Sequence, residues 1–283
     1  MTLRPAPPAH SHVRVAAAQY GERTNRRPRS PGMTTSHDRP ATPAARYADD
    51  HAADYDRWFA KPSVTAATVD TLMKLAGEGR VLELGVGTGR VALPLARRGF
   101  DVHGVEASAA MAARLRAKPG GEGVQITLGD FAEVPVEGMF SLILVVGGTL
   151  FELASREDLQ SCLTAAADHL EPAGVLVLDA HLPEALAVAA ASGVPEVVSE
   201  TDEHLILCHR RIDPSTATYQ SHYLVHEADR THHLRVRFHY ASPGELDLMA
   251  ERAGLQLRTR LGSWAEGPFT RDSTYHVSVY ERR

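Results

Sequence analysis

Residues 81–90 read Val-Leu-Glu-Leu-Gly-Val-Gly-Thr-Gly-Arg, and no other stretch of the chain restricts its fold as tightly. Residues 80–84 have strand character, glycines follow at 85, 87 and 89, and residues 90–98 have helical character. Glycine permits φ > 0 at a sharp turn, and its missing Cβ lets a ligand approach the backbone. A strand, such a loop and a helix N-terminus make a nucleotide-sized cradle in open α/β sheets. The spacing then narrows the nucleotide. A dinucleotide cradle asks for Gly-x-Gly-x-x-Gly, whose third glycine would fall where this chain has Arg90. The pattern here is Glu-x-Gly-x-Gly-x-Gly, with the acid at Glu83.

Strands and helices alternate beyond this loop. Strand 101–106 leads to helix 108–117, strand 125–128 ends in Gly129-Asp130, and strand 141–146 is nearly continuously apolar. A strand buried on both faces reads that way. Helix 156–170 and strand 175–179 follow, and the alternation predicts an α/β, doubly wound sheet. Pro94 falls inside the first helix, just past its first turn, and is expected to kink it. After His181 the pattern changes. An Ala-rich helix spans 183–191, and β-type segments lie at 197–200, 204–211, 217–226 and 232–240. Breaks at Asp213-Pro214 and Ala228-Asp229 predict an antiparallel meander over 196–240. Helix 243–253 stops at Gly254, and strands 255–261 and 274–280 close the chain.

With 283 residues, 43% of them apolar, the chain can bury a substantial core in one domain, 46–283, carrying the insertion. A net charge of −5 argues against nucleic acid as the main partner, which would need a basic face. Cys162 and Cys208 fit neither a metal nor a disulfide framework. Without a signal-peptide pattern or an apolar run near ~18 residues, a cytoplasmic protein with no membrane partner is expected. Residues 1–45 are expected to be a disordered tail, since the first 32 carry six arginines, a single acid (Glu22) and no periodicity. Met33 is a candidate true start. Tyr47, Tyr55, Trp58 and Phe59 stand at helical spacing, and residues 64–76 read as the helix before the first strand. The aromatic segment is either a helix packed on the core or a lid, with Tyr55 the candidate to close over a ligand.

Leu-Glu-Leu-Gly-Val-Gly-Thr-Gly-Arg, Gly-Val-Glu-Ala-Ser-Ala-Ala-Met and Gly-Asp-Phe recur in this order, together with Pro94 in Gly-Arg-Val-Ala-Leu-Pro-Leu-Ala. The set resembles the class I S-adenosylmethionine (SAM) methyltransferases, and within them the small-molecule branch of bacterial natural-product and aminosugar N-methyltransferases. The likeness covers about residues 45–182 and, less sharply, 240–283. It implies a Rossmann-like sheet of seven strands, the last antiparallel, with the meander on the substrate side. It also implies SAM as cofactor, held by Glu83, Gly85, Gly87, Gly89 and Arg90 at the glycine loop. Glu83 would help to bind the ammonium. Glu106 ends the second strand, where an acid can accept both ribose hydroxyls; Ala107 and Met111 follow it. Asp130 would take the adenine amino group and Phe131 would pack the ring, while Val146 and Gly147 would border the methionine part and Tyr55 the lid.

Transfer from a sulfonium is an in-line displacement, so the enzyme must align the acceptor and remove any proton it carries. The candidate bases are His181 after strand five, His239 beside Tyr240, and Tyr223 on the meander. Tyr223 shares a strand face with Tyr219 and Val225, opposite His222 and His226. Seven of the 15 histidines lie between 204 and 239, but no acid or cysteine completes a zinc set. Catechol-type enzymes pair acids near strands four and five; this chain offers Asp179 alone, and no metal is expected. The function implied is methylation of a small-molecule acceptor in specialised metabolism, with N-methylation of an amine favoured. C- or O-methylation of an indole or phenol stays open, as does a SAM-binding module without chemistry. A homodimer through the unpaired edge of the meander is a further expectation.

Overall fold

Two short helices, α1 (Pro43–His51) and α2 (Tyr55–Phe59), come first in the computed structural model, which describes residues 43–60 and 62–283. The expected tail and the candidate start at Met33 lie outside the described residues, except that 43–45 already belong to α1. After α3 (Pro62–Leu75) the alternation begins: β1 (Val81–Leu84), α4 (Ala92–Arg97), β2 (Val102–Glu106), α5 (Ala109–Arg116) and β3 (Val124–Leu128). The chain then crosses to β4 (Phe140–Val145), α6 (Arg156–Asp168) and β5 (Leu170–His181). α7 (Pro183–Ala191) leads into β6 (Glu196–Glu200), β7 (His204–Asp213), β8 (Thr218–Glu227) and β9 (Thr231–His239). α8 (Pro243–Arg252), β10 (Leu255–Leu261) and β11 (Tyr275–Arg282) complete it.

The main sheet has seven strands in the order β10-β11-β5-β4-β1-β2-β3. β1 to β5 pair in parallel, and β11 runs antiparallel to both β5 and β10. β1 and β4 are buried at every position, as their apolar runs require. The order reverses between these two strands, and ligands of open α/β sheets bind in the crevice at that point. The glycine loop after β1 and the Gly147-Gly148 turn after β4 therefore stand side by side.

The meander forms its own four-stranded sheet, β6-β7-β8-β9, instead of entering the first. One face is buried by strict alternation: Ile206 and Cys208, then Tyr219, Ser221 and Val225, then Leu234, Val236 and Phe238. Tyr219 and Phe238 are cross-strand partners with stacked rings, centroids 4.7 Å apart. Both join the core that holds Leu84, Ile143 and Leu178 of the main sheet, so the second sheet packs over the first.

Two expectations need correction. α4 starts at Ala92, which puts Pro94 in its first turn, where a missing N–H breaks no helical bond and no kink is needed. The helix expected to reach residue 170 ends at Asp168, because Leu170 is buried and pairs with Phe140 as the first residue of β5.

α1 and α2 are tied down on two sides. Asp49 accepts from Ser108 Oγ (2.6 Å) and the Ala110 N–H (3.2 Å), and Asp56 accepts from Thr88 Oγ1 (2.6 Å) and pairs with Lys118 (2.7 Å). On the other side the buried Trp58 packs with Ile206, Val225 and Leu234. Its indole N–H donates to Glu227 (3.1 Å), which also pairs with Arg57 and His232. These donors, Trp58 foremost, hold the Glu227 carboxyl down at about 2 against an ordinary 4.5. A depressed carboxyl contributes stability above its ordinary value and loses it as pH falls through the folded one. The Trp58 side of the helix pair should therefore loosen in acid, between pH 4.5 and about 2. In a Trp264→Phe background, Trp58 fluorescence should shift red over that range before far-UV circular dichroism collapses, and Glu227→Gln should show the shift at neutral pH.

Candidate active site

The glycine loop is built by contact as much as by turn geometry. An ideal Cβ at Gly85 would stand 2.5 Å from Thr149 Cγ2, and one at Gly89 would stand 2.8 Å from Leu115 Cγ. At Gly87, with φ +55°, a Cβ would meet nothing within 4 Å, so this stretch of backbone faces open space. Glu106 fastens the loop: Oε2 accepts from the Gly87 N–H (2.7 Å) and Oε1 from the Ser108 N–H (2.8 Å). Burial raises its pKa, and those N–H groups pull it back. A carboxylate oxygen has two acceptor sites, so each can still take a hydroxyl. Asp130 accepts from the Ala132 N–H (2.9 Å) and serves as turn acid and cavity wall at once.

These groups share a narrow cavity of about 100 Å³, lined by Gly85, Gly87, Glu106, Ala107, Met111, Asp130 and Phe131. It is small beside the ~300–1,000 Å³ of ordinary small-molecule sites, because α1 fills one side through Ala45, Tyr47 and Ala48, with Tyr55 beside them. The loop with its open Gly87 backbone and the Glu106 oxygens fit an adenosine with a free diol. Five expected residues do not line it: Arg90 and Gly147 border the neighbouring cavity, and three others are buried or packed away from it. Gly89 packs against Leu93 and Leu115, and Val146 is buried in the core. Glu83 is buried too: desolvation pushes its carboxyl up to about 8, opposed by the Arg90 guanidinium and the Ala92 N–H, and its Oε2 has no hydrogen-bond partner. It supports the loop instead of facing the cavity.

A second cavity, about 670 Å³, lies between the carboxyl ends of β4 and β5 and the meander sheet. Arg90, Gly147, Gly148, His181, Tyr223 and Phe238 are among its walls, and it shares Tyr47, Tyr55 and Glu152 with the first. The two cavities meet at those three residues. Asp179, at the end of β5, fixes the turn after β4: Oδ1 accepts from the Gly148 N–H (2.9 Å), and Oδ2 from Trp264 Nε1 (2.8 Å) and the Tyr275 hydroxyl. Across the cavity Arg210 pairs with Glu196.

His181 is on this cavity, edge-on to Tyr275 at 5.2 Å. Burial, then Arg210, lowers its pKa, so a neutral imidazole is available as a base at neutral pH. Tyr223 also lines it, edge-on to Phe59 at 5.5 Å, but burial pushes its phenol up to about 12. A phenol held that high keeps its proton at neutral pH and can donate a hydrogen bond into the cavity. His239 does not line the cavity. Its Nδ1–H donates to the Leu153 carbonyl (2.9 Å) and ties β9 to the loop beyond β4.

Sequence reasoning passed over Glu152, Trp264 and Tyr275. Glu152 ends a 3₁₀ turn, Thr149–Glu152, directly after Gly147 and Gly148. Burial, with Glu106 as a nearby like charge, raises its carboxyl to about 7. Trp264 and Tyr275 stand in and after an aperiodic loop, where no pattern marks them. Among the described residues no three of His, Cys, Asp and Glu cluster to hold a metal ion, and no helix is long and apolar enough to cross a membrane.

Comparison with known proteins fits this geometry. The family described as Methyltransferase domain matches residues 81–174. The chain is 28% identical over 207 residues to the cypemycin N-terminal methyltransferase of a Streptomyces species, spanning 73% of this chain and 84% of that one. It is similar to the structure of the CcbJ methyltransferase from Streptomyces caelestis, at 36% identity and a TM-score of 0.76, over 83% of this chain and 97% of that one. SAM-bound CalS10, an amino pentose methyltransferase from Micromonospora echinaspora, shares the fold at 21% identity and a TM-score of 0.57, over 85% and 95% of the two chains. Replacing Glu106 with alanine removes the Gly87 and Ser108 acceptors together. Calorimetry should show S-adenosylhomocysteine (SAH) binding weakened about tenfold or more, as expected for loss of charge-assisted hydrogen bonds; unchanged affinity would mean the diol binds elsewhere.

Proposed function

This chain belongs to the class I SAM-dependent methyltransferases, in their small-molecule branch, and from that premise we propose that it methylates the nitrogen of an amine in specialised metabolism. The observation that carries the reading is the meeting of the two cavities at Tyr47, Tyr55 and Glu152, one sized for an acceptor and one built on the glycine loop. Gly85, Gly87, Glu106, Asp130 and Phe131 would hold the adenosine of SAM, and Arg90 and Gly147 would border its amino-acid part. When bound, SAM supplies an electrophilic methyl group on a sulfonium. The protein's part is to position the acceptor and keep water out. Tyr223 can donate a hydrogen bond to the acceptor, His181 can take a proton, and the apolar rings hold the acceptor's body. The name of the cypemycin relative, an N-terminal methyltransferase, supports nitrogen as the target.

Transfer to carbon or oxygen of an aromatic acceptor is the competing reading, favoured by the stacked Tyr219 and Phe238 rings on the cavity wall. SAH should raise the melting temperature by mass action and NAD should not. A carbon-13 methyl from labelled SAM, offered panels of amines, indoles and phenols, should appear in the N-methyl region of the NMR spectrum. A product labelled only on oxygen or carbon would replace the first reading with the second.

A further inference from the structure

Three acids line the larger cavity, and two of them are committed. Asp179 serves the Gly148 N–H, Trp264 and Tyr275, and Glu196 is paired with Arg210. Glu152 has neither a hydrogen bond nor an ion pair among the described residues. It stands where the acceptor and cofactor cavities meet. The titratable groups around it offer no cation. Tyr47 of α1, Tyr55 of α2, and Tyr219 and Tyr223 of β8 face it with phenols that burial keeps protonated. Glu106, at the end of β2, is a like charge. The neighbouring His239 is held on the Leu153 carbonyl.

Glu152 is half-buried, its carboxylate facing the cavities with no cation beside it; such a poorly solvated carboxylate is costly, and a ligand that brings a cation recovers that cost. We propose that Glu152 binds the acceptor's nitrogen, taking an ammonium N–H on its carboxylate and then receiving that proton. This rests on the reading of methylation at nitrogen. The step balances: the proton passes to Glu152, and the freed nitrogen pair forms the bond to the methyl carbon. The carbon–sulfur pair leaves to sulfur as the positive charge moves to the methylated nitrogen, and Glu152 gives its proton to solvent. A carboxyl raised by burial to about 7 exchanges protons readily near neutral pH. The acceptor class is therefore a basic primary or secondary amine, not an amide or a phenol.

Sinefungin tests this without knowledge of the acceptor, because it carries an amine-bearing carbon in place of the sulfonium sulfur and its methyl. Calorimetry on the full chain would compare SAH, SAM and sinefungin in wild type and Glu152→Gln. Wild type should prefer sinefungin to SAH by about tenfold or more, the scale of a charge-assisted hydrogen bond. In Glu152→Gln that preference should vanish, while SAH and SAM affinities stay within about threefold, less than half the free energy of a tenfold change being lost. A preference that survives in the variant overturns the proposal, and so does an equal loss for SAM, which would put the carboxylate at the sulfonium. If the variant no longer binds SAH, the wild type decides: its preference must grow as pH rises through about 7, and a flat profile overturns the assignment. Failure of wild type to bind SAH at all would instead overturn the functional reading, and the proposal with it.

Discussion

Parallel pairing of β1 with β4 is the constraint from which the rest of the site follows. It puts two turns with left-handed glycines next to each other, Gly85–Gly89 from one strand and Gly147-Gly148 from the other. Neither turn holds its shape alone. Glu106 at the end of β2 ties down the first through the Gly87 N–H, and Asp179 at the end of β5 ties down the second through the Gly148 N–H. Each carboxylate comes from the strand flanking the pair, so four adjacent strand ends set the floor of both cavities. Fully buried strands make that floor rigid, since their packing leaves no room for a register shift.

The second sheet supplies the roof, by ordinary side-chain alternation. Its inward face offers Tyr219, Tyr223, Val236 and Phe238 to the acceptor cavity, and its outward face takes polar residues such as His222, bonded to Gln220. Arg210 and Glu196 are the charged exception on the inward side, and they neutralise one another.

Much of this was legible in the sequence, and the reasons are local. The succession of strands and helices follows from alternation and from apolar runs such as 141–146, and the meander from its turn pairs. Glycine spacing and the acids Glu106 and Asp130 mark strand ends, and the structure puts both in one cavity with Met111 and Phe131. What was not legible depends on contacts between distant segments. Pro94 could be judged only once the helix start at Ala92 was known, and His239 only once Leu153 stood opposite it. Glu152 looks like any acid in a turn; only the folded chain shows it turned inward between four phenols. Glu83 illustrates the reverse, a motif acid whose position beneath the loop no spacing rule reports.

The helix pair α1–α2 couples the two cavities. Tyr47 and Tyr55 are walls of both cavities, and α1 narrows the cofactor cavity to about 100 Å³. A displacement of α1 would therefore change the walls of both cavities together. Trp58, packed among Ile206, Val225 and Leu234, ties the far end of the pair to the second sheet. The two cavities thus share one wall, and a change of side chain at Tyr47 or Tyr55 reaches both at once.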